Sequence, residues 1–292
     1  MVEWYEPDSW VTKLFGAHLS TFIITVLVAF GAPLLLHMYI YRQRAPASLP
    51  NFVLLGPSAA GKTALLTTLE TGQPRDTHPT QAVHKATLTL PQDYTPFSAR
   101  YRSVNDPSAV KGRQAYLTDT PGHGKLRSAA TATMASAANL RGLVFVVDAA
   151  ALASPAALSQ AAEFLHDVLL ALQRRYTSAK TSRGPKACPV LVAANKSDLF
   201  TALPAQLVRA QLEAEITKVR SARAKGILDV GVGEDADAAA PDAEWLGDGG
   251  EGKFEFRQME EVNVVVDVVA GSVTGEEGPG VGAWWEWIAG QM

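Results

Sequence analysis

Phe52-Val53-Leu54-Leu55-Gly56-Pro57-Ser58-Ala59-Ala60-Gly61-Lys62-Thr63-Ala64-Leu65-Leu66-Thr67-Thr68-Leu69 is the stretch on which the fold turns. Its leading apolar residues suit a buried strand, residues 56–63 fit G-x-x-x-x-G-K-[ST], and the apolar positions after Lys62 recur at helical spacing. Strand, glycine-rich turn and helix in that order aim successive backbone N–H groups and a helix N-terminus at one point, which suits phosphate oxygens. In this P-loop pattern residues 56–64 wrap the phosphates. Lys62 reaches the β- and γ-phosphates, and the Thr63 hydroxyl is a Mg²⁺ ligand. A glycine-rich turn opening an ordinary helix is the rival reading, and the strand in front of it argues against that.

Further segments say which nucleotide. Asn195-Lys196-Ser197-Asp198 follows the apolar run Pro189-Val190-Leu191-Val192-Ala193-Ala194, as expected of a strand buried on both faces. The Asp198 carboxylate can accept two parallel hydrogen bonds from N1–H and N2–H₂ of guanine. Adenine has neither donor there and would leave the carboxylate unpaired, at a cost. Asn195 braces the loop, and the Lys196 stem covers the plane of the base. Asp119-Thr120-Pro121-Gly122-His123 comes after a short strand pattern at residues 115–118. Asp119 at a strand end can hold Mg²⁺ through water, and the Gly122 N–H can meet a γ-phosphate. His123 stands where GTPases place the residue that orients the attacking water. Within Thr77-His78-Pro79-Thr80 either threonine, with Thr80 preferred, can bring a second hydroxyl to the metal. The other histidines, His84 and His166 among them, have no ligand spacing and read as surface or packing residues.

The chain has 292 residues, 47% of them hydrophobic, and a formal charge of −3. That is enough apolar material for a core, and it gives no reason to invoke direct nucleic-acid binding. Part of the apolar content sits outside any core. Residues 14–41 are 28 positions without Asp, Glu, Lys or Arg, longer than the ~20 that span a bilayer. A signal peptide would begin basic and be shorter, whereas this start carries Glu3, Glu6 and Asp8. Met1-Val2 does not fit a myristoylation start, and no CaaX cysteine closes the chain. One transmembrane helix over 14–41 is therefore expected, after a short lumenal stretch at 1–13. Arg42 and Arg44 behind it orient the remainder to the cytosol. Cys188 is the only cysteine, so no intrachain disulfide is possible.

Behind a stiff linker at 42–50, the domain over 51–292 alternates strand and helix. Strands are expected near 86–90, 115–118, 143–148, 189–194 and 262–269, and helices near 126–138, 155–176, 204–223 and 283–288. This is an α/β fold with a mostly parallel sheet covered on both faces. Residues 229–252 carry eight acidic residues, six glycines and no Lys or Arg, a composition expected of a disordered insertion. Trp284, Trp285 and Trp287 read as packing residues.

With these residues in view, the chain resembles the beta subunit of the signal recognition particle receptor, a small GTPase related to the ADP-ribosylation factors. The resemblance rests on the P-loop, on Arg75-Asp76-Thr77, and on Asp119-Thr120-Pro121-Gly122-His123 followed by Leu126-Arg127. It extends through Arg141-Gly142-Leu143-Val144-Phe145-Val146-Val147-Asp148 and Gln211-Leu212-Glu213-Ala214-Glu215-Ile216. It implies a Ras/Arf-like fold, GTP and Mg²⁺ as ligands, and one helix in the endoplasmic reticulum membrane. It also implies a partner at the switch surface, the N-terminal domain of the receptor's alpha subunit. For the last guanine-contacting loop, Val269-Ala270-Gly271-Ser272 is the candidate, with the Ala270 N–H toward the guanine O6. No arginine is identifiable as a finger supplied in cis, so slow intrinsic hydrolysis is expected. An Arf-like switch of vesicle traffic is the alternative, and it lacks the usual myristoylated amphipathic start here.

Overall fold

Strands that run apolar without alternation can be buried only where both faces of their sheet are covered. The computed structural model describes residues 19–43, 49–97, 113–178, 187–230, 246–247, 252–275 and 278–292. The chain falls into two units, Met1–Ser48 and Leu49–Met292. The second unit holds β1 (Asn51–Leu55), α2 (Lys62–Thr71), β2 (His84–Thr89), β3 (Gln114–Asp119), α3 (Arg127–Ser136) and β4 (Leu140–Asp148). It continues with α4 (Pro155–Thr177), β5 (Val190–Asn195), α5 (Ala205–Val230), β6 (Val266–Ala270) and α6 (Gly282–Gln291).

The strands form one six-stranded sheet in the order β2-β3-β1-β4-β5-β6. Every pairing is parallel except β2 with β3. The period of two then sorts side chains to two cores. Val53, Leu55, Leu143, Phe145, Val147, Val190 and Val192 face α3, α4 and α5, where Met134, Phe164, Leu165, Leu212 and Ile216 meet them. Phe52, Leu54, Val144, Val146, Leu191 and Ala193 face α2 and α6, packing on Leu65, Leu66, Trp284 and Ile288. Trp284 and Trp285 are buried, and the Trp284 and Trp287 indole N–H groups donate to Val269 O and Asp267 Oδ2. Cys188 is buried, and that burial pushes its thiol up to about 11, so it stays a packing residue.

Several boundaries differ from the pattern-based expectation. The last strand begins at Val266 rather than at Val262, because Phe256–Val262 winds as a 3₁₀ helix ended by Asn263 at φ 57°. The following segment then enters the sheet in the register Val190↔Val266. Helix α5 runs past Arg223 to Val230, so the acidic segment starts inside a helix. Of that segment, 231–245 and 248–251 lie outside the described residues, but Leu246 is buried in the α4–α5 core. The Gly247 N–H donates to Gln173 Oε1 at 3.0 Å.

The first unit contains helix α1, Leu19–Gln43, 25 residues long with Pro33 inside. Its described side chains are Phe22 and those of 25–37. Among these, Phe22, Val26, Leu27, Val28, Phe30, Leu34, Leu35 and Leu36 are exposed. Residues 1–18 and 44–48 lie outside the described residues, with part of the expected span and linker. Among the described residues no helix is long and apolar enough to cross a membrane.

Candidate nucleotide-binding site

The C-terminal ends of β1 and β3 deliver the P-loop and Asp119 to the same edge of the sheet. Residues 56–61 turn through positive φ at Gly56 (137°), Ala59 (62°) and Gly61 (96°). These angles favour glycine and fold the loop back over the start of α2. Lys62 is 6% exposed. Its ammonium donates to Gly56 O at 3.0 Å and Pro57 O at 2.8 Å, carbonyls of its own loop. Burial pulls the amine down to about 8, with Asp119 opposing the shift. A buried cation whose hydrogen bonds among the described residues go to carbonyls, with Asp119 nearby but not bonded to it, lacks a full counter-charge, which suits a phosphate anion.

Asp119 is fully buried. Its Oδ2 lies 2.7 Å from Thr63 Oγ1 and 2.8 Å from Thr80 Oγ1, and the two hydroxyls are 2.5 Å apart. Three oxygens in mutual contact share only two hydroxyl protons, so one edge of the triangle sets lone pair against lone pair. Asp119 Oδ1 is buried and has no hydrogen-bond partner among the described residues. Hard oxygens at this spacing, with a carboxylate left unsatisfied, fit a small divalent cation such as Mg²⁺. The structure thus separates the two threonines. Thr80 joins the cluster, while Thr77 is exposed on the rim of the cleft.

That cleft encloses about 520 Å³. Its walls are Ser58, Ala59, Gly61, Lys62, Thr63 and Ala64 on one side, residues 77–81 on another, and Thr120, Gly122, His123 and Leu126 on a third. Gly122 makes the third wall possible. A Cβ there would sit 2.8 Å from Pro57 C and O and would collide with the Lys62 ammonium. Thr120, buried beside it, donates to Leu54 O at 2.6 Å and ties this loop to β1. His123 is exposed and accepts from Lys125 N–H at Nδ1, 3.3 Å away. A neutral ring in that arrangement carries its proton on Nε2, so toward a water it is a donor rather than a base.

Asn195, 2% exposed, links three loops. Its Nδ2 donates to Ala60 O at 2.9 Å and its Oδ1 accepts from Val273 N–H at 3.1 Å. Lys196 has φ 62°, and its ammonium pairs with Asp148 Oδ2 at 2.5 Å. Asp198 is exposed, and a Cβ built on Gly275 would lie 3.8 Å from its Cβ. Ala270 belongs to β6, in register with Ala194. Against the Asn195–Asp198 loop lie Gly271, whose carbonyl accepts from the Ser197 N–H at 3.2 Å, and, beyond the expected 269–272, Val273 and Gly275. Sheet register sets this placement: the Gly271 N–H is taken by Ala194 O, so the chain leaves the sheet only after it. Asp148, Thr120 and Val273 have no role in the sequence reading. Only Asp148 carried a signal, as a carboxylate ending a buried strand.

The profile of the signal recognition particle receptor beta subunit family matches residues 47–264. Signal recognition particle receptor subunit beta of Saccharomyces cerevisiae is 32% identical over 220 residues, covering 72% of this chain and 76% of that protein. The Homo sapiens protein of the same name is 33% identical over 239 residues, covering 81% and 74%. Among solved structures, the SRb-GTP/SRX complex of the receptor from Chaetomium thermophilum superposes with a TM-score of 0.64 at 33% identity. It covers 82% of this chain and 99% of that one. The SRb-GDP-Mg form from the same organism gives 0.60 at 37% identity, covering 84% and 99%.

Proposed function

Because the chain belongs to the signal recognition particle receptor beta subunit family, we propose that it binds GTP with Mg²⁺ and tethers the receptor's alpha subunit to the endoplasmic reticulum membrane for co-translational protein targeting. Its mostly parallel α/β sheet is that of the P-loop GTPases related to the ADP-ribosylation factors. The observation that carries the reading is the convergence of Thr63, Thr80 and Asp119 beside the buried Lys62 ammonium.

In this reading backbone N–H groups of residues 56–64 other than Pro57, together with Lys62, bind the phosphates, and Gly122 meets the γ-phosphate. Thr63 and Thr80 would hold Mg²⁺ by their hydroxyls, with Asp119 holding it through water. The metal would supply positive charge that neutralises the phosphates. Asn195, Lys196 and Asp198 take the base, and the loop that runs from Ala270 past Val273 to Gly275 closes its edge. His123 with Nδ1 engaged orients a water but does not deprotonate it, and no arginine is assigned as a finger in cis. Turnover is accordingly slow without an activator. A γ-phosphate that fixes Thr80 and Gly122 orders both loops, and that surface receives the N-terminal domain of the alpha subunit. A structure of a relative bears the name SRb-GTP/SRX complex.

Residues 14–41 form the membrane span, 1–13 the lumenal end, 42–50 the linker and 51–292 the cytosolic GTPase domain, interrupted at 229–252. The uncharged run and the exposed apolar side chains of α1 support this. A pull-down tests the switch: the full chain in detergent, loaded with a GTP analogue or GDP, is offered the alpha subunit's N-terminal domain. Capture with the analogue alone is expected. Equal capture in both states would reduce the nucleotide to a structural ligand.

A further inference from the structure

Asp148 closes β4 at the level where Asn195 closes β5, the two being in register. Both of its carboxylate oxygens are committed. Oδ1 accepts from the N–H groups of Ala150 and Ala151, each at 3.0 Å, and so builds the turn that leaves the strand. Oδ2 receives the Lys196 ammonium at 2.5 Å. The pair is partly shielded, with side-chain exposures of 18% for Asp148 and 34% for Lys196. Lys196 itself stands at φ 62°, a conformation that non-glycine residues seldom adopt unless neighbouring contacts hold them there.

We infer that Asp148 is a positioning residue for base binding. It draws the Lys196 ammonium back to the end of β4, which stretches the four-carbon stem between that point and the loop carrying Asp198. The stem becomes a fixed apolar strip on which the flat face of a guanine base rests. Without the carboxylate, the ammonium follows water and the strip goes with it. The inference rests on the reading of residues 195–198 as the guanine loop, and it adds a residue from another strand to that loop. Because the base is common to GTP and GDP, Asp148 acts on both nucleotides alike, unlike the hydroxyl cluster at the phosphates.

Release of fluorescent GDP and GTP from the full chain, followed by stopped flow, tests it with D148N, K196M and the double variant. D148N retains an oxygen for the Ala150 and Ala151 N–H groups while losing the charge. It is expected to speed release of both nucleotides by about fivefold, the equivalent of ~1 kcal/mol, with nucleotide-free Tm almost unchanged. In the K196M background D148N should add nothing. An unchanged release rate in D148N, an effect on GTP alone, or a full effect persisting in K196M would each overturn the inference. D148A separates the turn from the ion pair. A lowered Tm in D148A beside normal release in D148N would leave Asp148 a turn residue only. D198N serves as the control on the underlying reading. If it fails to trade guanosine for xanthosine nucleotides, the base loop is misassigned and the inference falls with it; if it does trade them and D148N is silent, only the inference falls.

Discussion

Replacing Thr80 by valine keeps the shape of the side chain and deletes one oxygen from the Thr63–Thr80–Asp119 cluster. Without nucleotide the change is nearly balanced. A hydrogen bond of 2.8 Å to Asp119 is lost, but so is the 2.5 Å contact between the hydroxyls. The three oxygens had only two protons to share. A stability change within about 1 kcal/mol is therefore expected. With GTP and Mg²⁺ the balance is gone, because a hydroxyl that met the cation becomes a methyl. An interaction with a charged group contributes ~1.5–3 kcal/mol, so GTP affinity should fall by about 10- to 100-fold. GDP has no γ-phosphate to order the loop around Thr80, and its affinity should fall less than about threefold. Titration of fluorescent GTP and GDP into the full chain, with Mg²⁺ and again with EDTA, measures both numbers. Thr77→Val is the matched control, since Thr77 is exposed at the rim; it should stay within about threefold of wild type for both nucleotides. A Thr77 variant as weak as the Thr80 variant, or a Thr80 variant with wild-type affinity for GTP in Mg²⁺, would refute the assignment.

Asp198→Asn replaces one acceptor oxygen by a donor amide, so preference should move from guanosine to xanthosine nucleotides; competition titrations show whether it does. Burial lowers Lys62 to about 8, below its unfolded value. The unfolded chain therefore holds the extra proton between pH ~8 and ~10.5, and nucleotide-free stability should rise with pH through that window. A Lys62→Met variant, with no such group, should lack this rise, so that wild type gains on it by an amount on the order of 3 kcal/mol between pH 7 and 10, and it should not bind nucleotide. Denaturant melts at pH 7 and 10 that show no such gain of wild type on the variant would contradict this. Phe164→Ala empties the centre of the α4 core, where the ring stacks edge-on against Phe145 at 5.5 Å. It should cost about 3–5 kcal/mol in chemical denaturation, and a loss under 1 would mean that the core closes over the gap. Residues 1–44 fused to a reporter should resist carbonate extraction and leave the reporter open to protease from the cytosolic side. Extraction of the fusion removes the proposed anchor.

The parts of this protein that local chemistry dictates were legible in its sequence. The P-loop needs glycine at turning positions and lysine and threonine at the start of a helix, so its spacing survives as a string of letters. Buried parallel strands need apolar side chains on both faces, so β1, β4 and β5 stood out as unbroken runs. The strand β6 was read too, but its start was not, because Val262-Asn263-Val264-Val265 has the composition of a strand. Its first part is claimed instead by a 3₁₀ helix that ends at Asn263. The acidic segment read as uniformly unable to bury itself, yet Leu246 inside it is buried. Composition averages over a window, and one anchoring residue is lost in the average.

By itself the sequence determined which residues can meet phosphate, metal and guanine, since each motif is short and carries its own chemistry. Which of them meet was decided by the tertiary structure. Thr80 lies 39 residues from Asp119, and only the placement of β3 beside β1 brings Asp119 to the P-loop and to one threonine rather than the other. Asn195 reaches Ala60 across 135 residues because β4 alone separates β5 from β1. The loop that faces Asp198 was set by where β6 stops pairing with β5, which brings Val273 and Gly275 beside it as well as Gly271. The ion pair between Asp148 and Lys196 exists because two strands end at one level. Strand register and sheet order are collective properties of the packed chain, fixed by burial summed over both faces, and no single segment records them.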